Sequence, residues 1–271
     1  MKQGWNAVLA ALACAASVEE AAAEGPLLEF PDDLAFRAQA VDAFARRAYD
    51  ERIDELRAAH HLDRDAALLE RLRLLLARLL PAAEVERPGS SALPWEIHTC
   101  RKCGENASSM AGGRLLFGEE FLAKLAPTDD QLGFLLAHEM GHVLAEHTRE
   151  FATAARYFVD NGMNRPYWDI QDEVDGSIAV QYRMAFLAEQ QELDADRIGF
   201  FLGARAGLDP PAMLSLLEKL GPAPQSALPS THPSADTRVE QAEAMLQAAE
   251  VVRGWAARRP SLAAADAPQA P

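Results

Sequence analysis

The pentapeptide HEMGH at residues 138–142 contains the residue types that bind and use a catalytic metal ion. Residues four apart on a helix share a face, so His138 and His142 can both reach one metal ion. Glu139 is then placed beside the metal, where it can take a proton from an activated water molecule. Because the pentapeptide lies in an apolar, helix-like run at residues 132–144, the sequence predicts one Zn²⁺ per chain in the core of a zinc peptidase.

A further histidine close downstream does not complete the ligand set. Catalytic zinc takes three protein ligands and one water molecule, and one known extension of the motif is HExxHxxGxxH. In this sequence Ala145 stands at the glycine position and Thr148 at the last histidine position. His147 lies one residue too early and on a different helical face, so we interpret it as a surface histidine.

A glutamate from a second helix is the other common third ligand. Glu192 and Asp196 are four residues apart and share a helical face. Glu192 can therefore bind the metal while Asp196 accepts a hydrogen bond from the free ring nitrogen of a ligand histidine. This pairing favours Glu192 as the third ligand, with Glu189 and Glu173 as the alternatives.

At this point the sequence resembles the gluzincin metallopeptidases that include the CAAX prenyl endopeptidase, the bacterial protease HtpX, the Oma-type proteases and soluble periplasmic relatives. The resemblance rests on four stretches: residues 136–147, residues 192–199 with 206–210, residues 230–234 with Arg238, and residues 106–117. It implies a zincin-like fold, zinc ligands at His138, His142 and Glu192, and a general base at Glu139.

The third stretch implies two additional catalytic residues. His232, in a Thr-His-Pro motif, and Arg238 match family residues near the catalytic water and the developing oxyanion, where a donor beyond the metal is required. The alternatives are a surface loop histidine and a structural arginine.

The fourth stretch matches the edge strand to which substrate would add as an extra strand. The residues of this stretch that we single out as substrate-strand candidates are Asn106, Gly112 and Gly113. Residues 108–111, Ser-Ser-Met-Ala, depart from the aromatic, apolar and proline residues usual there, which leaves the substrate preference open.

Periodicity and turn residues predict an α+β protein that is mostly α-helical, with a small sheet or hairpin beside the HExxH helix. The predicted organisation is a signal peptide or lipoprotein signal at 1–24, an N-terminal helical region at 25–90 packed on the catalytic domain, a metallopeptidase domain at 91–257 and a disordered tail at 258–271. Within it we expect helices up to about 80 that end at Pro81, strands at 95–99 and 114–117, an HExxH helix to about 148, a loop at 160–172, and helices at about 173–206, 212–220 and 234–257.

The first residues are typical of an export signal. Lys2 precedes an uncharged, mostly apolar run at residues 5–16, which is too short to span a bilayer but suits a signal-peptide core. Leu-Ala-Cys at 12–14 resembles the end of a lipoprotein signal, so Cys14 is a candidate lipid anchor; plain secretion and an uncleaved apolar helix are the alternatives. Because no other segment has 18 uncharged apolar residues, we expect no transmembrane helix in the mature chain, and a periplasmic or membrane-anchored location in a bacterial envelope.

Two further cysteines, Cys100 and Cys103, form a CxxC pair. In an oxidising compartment this spacing predicts a local disulfide. The intervening Arg101 and Lys102 would favour a thiolate and hence a redox role. A zinc ribbon would require a second CxxC, which the sequence does not contain.

The sequence therefore favours a zinc-dependent endopeptidase acting on polypeptides, in particular misfolded or unassembled envelope proteins. The alternatives are a proteolytically silent, zinc-stabilised chaperone or binding module on the same fold and, third, a thiol–disulfide protein using the CxxC pair. A net charge of −15 argues against a nucleic-acid partner, since phosphate binding requires a basic surface.

Overall fold

Helices form most of the chain described by this computed structural model, which covers residues 26, 28, 34–104, 106–220 and 235–258. The helices are α1 (Ala38–Ala58), α2 (Ala66–Glu86), α3 (Glu119–Leu125), α4 (Asp129–Leu144), α5 (His147–Ala155), α6 (Tyr167–Gly176), α7 (Ile178–Arg205), α8 (Pro210–Leu220) and α9 (Ala235–Arg258). Short 3₁₀ helices lie at Ser90–Ala92 and Gly162–Asn164. Within the described residues, no helix combines the length and apolar character that crossing a bilayer requires.

The strands form one small sheet beside the HExxH helix. They are β1 (Glu96–Cys100), β2 (Ala107–Met110) and β3 (Arg114–Gly118), in the spatial order β1-β3-β2. β1 runs parallel to β3, whereas β2 pairs antiparallel with β3 and lies at the edge, where it contacts α4. The prediction of a mostly helical α+β fold with a small sheet is confirmed.

The hydrophobic core joins α2, α4 and α7 to the sheet and to helices α8 and α9. Leu72 of α2, Leu132 and Phe134 of α4 and Phe200 of α7 are all completely buried within it. The leucine spacing of α2 follows the 3.6-residue period of a helix with one buried face. This core fixes the two helices that carry the metal-binding motifs.

Two glycines allow α4 and α7 to cross at short range. A Cβ atom added to Gly199 of α7 would lie 2.8 Å from the backbone nitrogen of His138. One added to Gly141 of α4 would lie 3.0 Å from the carbonyl oxygen of Ala195. Since each glycine faces the backbone of the other helix, the ligand-bearing turns of both helices are held next to each other.

The HExxH helix is shorter than the sequence predicts. It ends at Leu144 rather than near residue 148, and a new helix begins at His147. Between them Glu146 adopts a left-handed conformation, with φ of 55°. Its carboxylate accepts hydrogen bonds from Arg149, at 2.6 Å, and from Arg87, and these contacts stabilise a conformation that non-glycine residues rarely adopt.

Three other boundaries differ from the predictions. Part of the expected loop at 160–172 is helical, because α6 begins at Tyr167, which is buried with Ile170 against α1 and α7. The long run expected from 173 is divided at Ser177, which has extended backbone and caps α7 by accepting a hydrogen bond from the Val180 amide.

Helix α2 also continues through Pro81 to Glu86, since burial of the following alanines offsets the hydrogen bond that proline lacks.

Several predicted features lie outside the described residues. They are the export signal at 1–24 with Cys14, the Thr-His-Pro motif with His232, and residues 259–271 of the predicted tail. The division into an N-terminal region at 25–90 and a catalytic domain at 91–257 stays a prediction, although α2 shares the core of α4 and α7.

Replacing Gly199 by alanine tests the importance of the close helix crossing. Because the added methyl group would meet the backbone of His138, we expect a loss of roughly 1–3 kcal/mol in the free energy of unfolding and a weaker metal site. The control is Gly176→Ala, where the added Cβ meets no atom within 4 Å. Thermal unfolding of both variants measures the difference, and equal stability would contradict the importance of this contact.

Candidate metal centre

Helix α4 places the two histidines of the pentapeptide on one face. A capping box fixes the start of the helix: the Thr128 side chain accepts from the Gln131 amide at 3.2 Å, and the Gln131 side chain accepts from the Thr128 amide at 3.1 Å. One turn separates His138 from His142, and their Nε2 atoms lie 3.2 Å apart. His138 is buried and His142 is half-buried, so the pair faces a partly enclosed space.

Glu192 on α7 completes a triangle of ligand atoms. Its Oε2 lies 3.6 Å from Nε2 of His138, and its Oε1 lies 3.5 Å from Nε2 of His142. A tetrahedral zinc ion with bonds of about 2.0–2.1 Å spaces its ligand atoms about 3.3 Å apart. The three residues therefore form a group with the spacing and chemistry of a zinc site.

The competing glutamates lie elsewhere. Glu173 is on α6, where it pairs with Arg165. Glu189 precedes Glu192 by almost one turn on α7 but does not belong to this group of ligand atoms. The geometry therefore brings together the predicted set.

Asp196 holds the outer nitrogen of His138. Its Oδ1 lies 2.9 Å from Nδ1 of His138, and both side chains are buried. Burial alone would raise the pKa of Asp196, but hydrogen bonds from Arg238 and His138 keep this pKa below its ordinary value. Because an ionised carboxylate only accepts hydrogen bonds, Nδ1 of His138 carries the proton and its Nε2 presents a lone pair to the triangle.

Arg238 of α9 lies behind this carboxylate. Its Nε and Nη2 donate to the two oxygens of Asp196 at 2.6 and 2.7 Å, an arrangement that fixes both partners. Burial alone would lower the pKa of Arg238, but the hydrogen bonds and charge of Asp196, with the charges of Glu192 and Glu139, raise it above its ordinary value. The observed contact is thus with Asp196, and the predicted role of Arg238 beside the oxyanion stays a prediction.

Several carboxylates surround His138 between α4 and α7. Burial alone would lower the pKa of His138, but the hydrogen bond and charge of Asp196, with the nearby carboxylates of Glu192 and Glu139, raise it above its ordinary value. Glu139 itself is buried on α4 beside the first histidine. A group of carboxylates around two imidazoles favours a bound cation.

His147 is buried and contacts the second histidine, contrary to the interpretation of a surface residue. Only 5% of it is exposed, and its Nδ1 lies 2.9 Å from Nδ1 of His142. Its Nε2 lies 3.4 Å from Oδ2 of Asp194. Burial lowers the pKa of His147 despite the opposing effect of Asp194, which favours the neutral ring. The sequence interpretation failed because it assumed an unbroken helix from His142 to His147.

The predicted substrate strand lies at the sheet edge next to α4. The carbonyl of Asn106 accepts from the Gly118 amide at 2.8 Å, immediately before β2 begins. Gly112 and Gly113 have φ angles of 80° and 85° and form the turn from β2 to β3. All four residues of β2 are half-buried.

The remaining candidates lie away from the metal centre. Cys100 and Cys103 are joined by a disulfide, with their Cα atoms 5.8 Å apart. His98 is half-buried in β1, where its Nδ1 lies 2.7 Å from Oδ2 of Asp63.

Comparison with known protein families identifies the family of this chain. The sequence profile of peptidase family M48 matches residues 69–246, which include most of α2, the sheet, both metal-binding helices and Arg238. The chain belongs to peptidase family M48. This confirms the resemblance to the gluzincin metallopeptidases and the zincin-like fold class. M48 peptidases depend on a metal, typically zinc, and the group of His138, His142 and Glu192 fits that requirement.

Individual relatives of this M48 chain include two kinds of protease. It is 30% identical over 173 residues to the mitochondrial metalloendopeptidase OMA1 of Schizosaccharomyces pombe, covering 61% of this chain and 50% of the relative. It is 30% identical over 167 residues to OMA1 of Arabidopsis thaliana, covering 59% and 34%. It is 26% identical over 212 residues to the beta-barrel assembly-enhancing protease of Escherichia coli K12, covering 70% and 41%. The matches thus span between a third and a half of these curated relatives.

Removing Glu192 tests the third ligand. We expect Glu192→Ala to weaken zinc binding by more than the roughly 10–100-fold loss typical of an outer hydrogen-bond partner, since a donor atom itself is lost. Glu189→Ala on the same helix is the matched control and should retain the metal. Zinc content after dialysis against a weak chelator measures the difference; full zinc content in the Glu192 variant would require a different third ligand.

Proposed function

We propose that this chain is a zinc-dependent endopeptidase that cleaves polypeptides in a bacterial cell envelope. The observation that carries the proposal is the triangle of His138, His142 and Glu192, together with the buried Glu139 that follows His138 on α4. This combination supplies ligands and a general base, whereas a purely structural zinc site is closed by four protein ligands.

Zinc, when bound, lowers the pKa of a water molecule and polarises the substrate carbonyl. The Glu139 carboxylate takes a proton from the attacking water and then delivers it to the nitrogen of the departing amine. Asp196 keeps the proton of His138 on Nδ1, so that Nε2 remains available as a ligand. Arg238 in turn keeps Asp196 ionised and in place.

His232 and Arg238 are proposed to assist at the substrate oxygen, as the family resemblance implies. Arg238 lies close enough to the centre for the charges of Glu192 and Glu139 to act on it. His232 precedes α9, the helix that carries Arg238, by three residues. Protonated or N–H donors at these positions would stabilise negative charge that develops on the carbonyl oxygen.

The edge strand β2 is the proposed docking line for substrate. An extended polypeptide can add to it through main-chain hydrogen bonds, which explains how an endopeptidase could accept diverse sequences. A cavity of about 350 Å³ is lined by α1, residues 87–94 and the junction of α4 with α5, and it reaches both the turn after β2 and His142. Its lining includes His142, Val143, Gly112 and Leu93. We assign it to a substrate side chain next to the cleaved bond.

The cellular role is proposed from the sequence and from one relative. Residues 1–24 have the features of an export signal, either for secretion or for lipid attachment at Cys14. The similar Escherichia coli protein is named a beta-barrel assembly-enhancing protease. Misfolded or unassembled envelope proteins are accordingly the proposed substrates.

Replacing Glu139 by glutamine separates chemistry from metal binding. We expect Glu139→Gln to abolish cleavage of unfolded casein while the zinc content stays at one per chain, since the amide cannot accept the proton. Glu189→Gln, on the other metal-bearing helix, is the control and should cleave casein at the wild-type rate. Fluorescent casein fragments and zinc content are measured on the same preparations.

The same assay decides between the protease and the silent binding module. A wild-type protein that cleaves casein, and loses this activity with a chelator, supports the endopeptidase. A zinc-loaded wild type that leaves casein and unfolded envelope proteins intact would favour the chaperone alternative. Turnover retained in Glu139→Gln would refute the general-base assignment.

A further inference from the structure

A single turn of α7 provides hydrogen-bonding support for both metal-facing histidines. Asp194 and Asp196 flank the buried Ala195, just after the ligand Glu192. Asp196 contacts His138 directly, at 2.9 Å. Asp194 belongs instead to the side of α7 that faces α5, where His147 is located.

His147 lies between the Asp194 carboxylate and His142. Its two ring nitrogens face different partners: Nδ1 faces His142 at 2.9 Å, and Nε2 faces Asp194 at 3.4 Å. The carboxylate of Asp194 is in turn held by Arg197, through bonds of 3.0 and 2.6 Å. His138 is supported in a similar way by Asp196, which is held by Arg238. For His142, the imidazole of His147 lies between the histidine and the carboxylate.

We propose that His147 is a positioning residue, which fixes the ring orientation and the tautomer of His142 so that Nε2 of His142 faces the metal. The proposal rests on the metal site of the proposed function. It adds a residue outside the HExxH pentapeptide and assigns Asp194 as the carboxylate that orients it.

Proton positions along this chain of contacts are set by its outer end. The Asp194 carboxylate, paired with Arg197, is a hydrogen-bond acceptor, and it lies 3.4 Å from Nε2 of His147. This arrangement places the ring proton of His147 on Nε2, towards Asp194, and leaves its Nδ1 as the acceptor for the proton of His142. With its own Nδ1 protonated, His142 presents the Nε2 lone pair to the metal.

The helix break between α4 and α5 makes the contact geometrically possible. On one continuous helix, residues five apart lie on different faces. The left-handed backbone of Glu146 turns the chain so that His147 packs against His142 instead. Gln191 of α7 anchors the new position, because its side chain donates to the carbonyl oxygen of His147 at 3.0 Å.

Two substitutions at this position test the proposal through zinc affinity, independently of proteolysis. His147→Leu fills the space but removes the acceptor, so we expect zinc affinity to fall by about 10–100-fold. His147→Asn places a carbonyl oxygen near the position of Nδ1 and should recover most of the affinity. Competition with a chromophoric chelator gives the dissociation constants, and the visible spectrum of the Co²⁺ form reports the changed ligand orientation.

A control separates positioning from general damage to the fold. His98→Leu removes another histidine that contacts a carboxylate, Asp63, but lies outside the metal centre. It should lower the melting temperature of the metal-free protein about as much as His147→Leu while leaving zinc affinity unchanged.

Three results would overturn the proposal. Wild-type zinc affinity in His147→Leu would show that His142 needs no such support. Affinity in His147→Asn as low as in the leucine variant would show that an acceptor is not what His142 requires. A wild type without zinc affinity would remove the metal site of the proposed function itself, and this inference with it.

Discussion

Three atoms with lone pairs directed at one another repel unless a cation lies between them. Nε2 of His138, Nε2 of His142 and the carboxylate of Glu192 occupy such a triangle, with separations of 3.2 to 3.6 Å. The proton of His138 is held on the opposite side of its ring by Asp196. A bound cation would satisfy all three atoms at once, and M48 peptidases depend on a metal, typically zinc.

Most of the surrounding structure maintains this convergence. The glycine contacts between α4 and α7 bring the two helices close enough for one ion to be shared. The turn of α7 that supplies Glu192 also supplies Asp194 and Asp196, so a single rigid element positions one ligand and orients the other two. Arg238 extends the support to α9, which is why a C-terminal helix remote in sequence forms part of the centre.

The ligands could be predicted from sequence because they repeat at helical spacing. His138 and His142 are four apart, as are Glu192 and Asp196, and the structure places each pair on a helix as expected. The capping box at Thr128 likewise marks the start of α4 correctly. Such local signals depend only on backbone geometry, which the sequence specifies directly.

The errors arise where tertiary contacts override local signals. Neither glycine nor proline marks the break at Glu146. It is stabilised by Arg87, which follows α2, and by Arg149 of α5, so the role of His147 was not visible in the sequence. At Pro81 the sequence predicts a helix end that the structure does not have. Burial of the neighbouring residues lets α2 continue through a residue that normally ends helices. Asp194 could have been found only by knowing that α5 packs against α7.

X-ray absorption at the zinc edge of the loaded protein tests the central claim most directly. The account predicts one zinc per chain, with only nitrogen and oxygen neighbours at about 2.0–2.2 Å and the outer-atom scattering of two imidazoles. A sulfur neighbour at about 2.3 Å, as a site at Cys100 and Cys103 would give, or the scattering of fewer than two imidazoles, would contradict it.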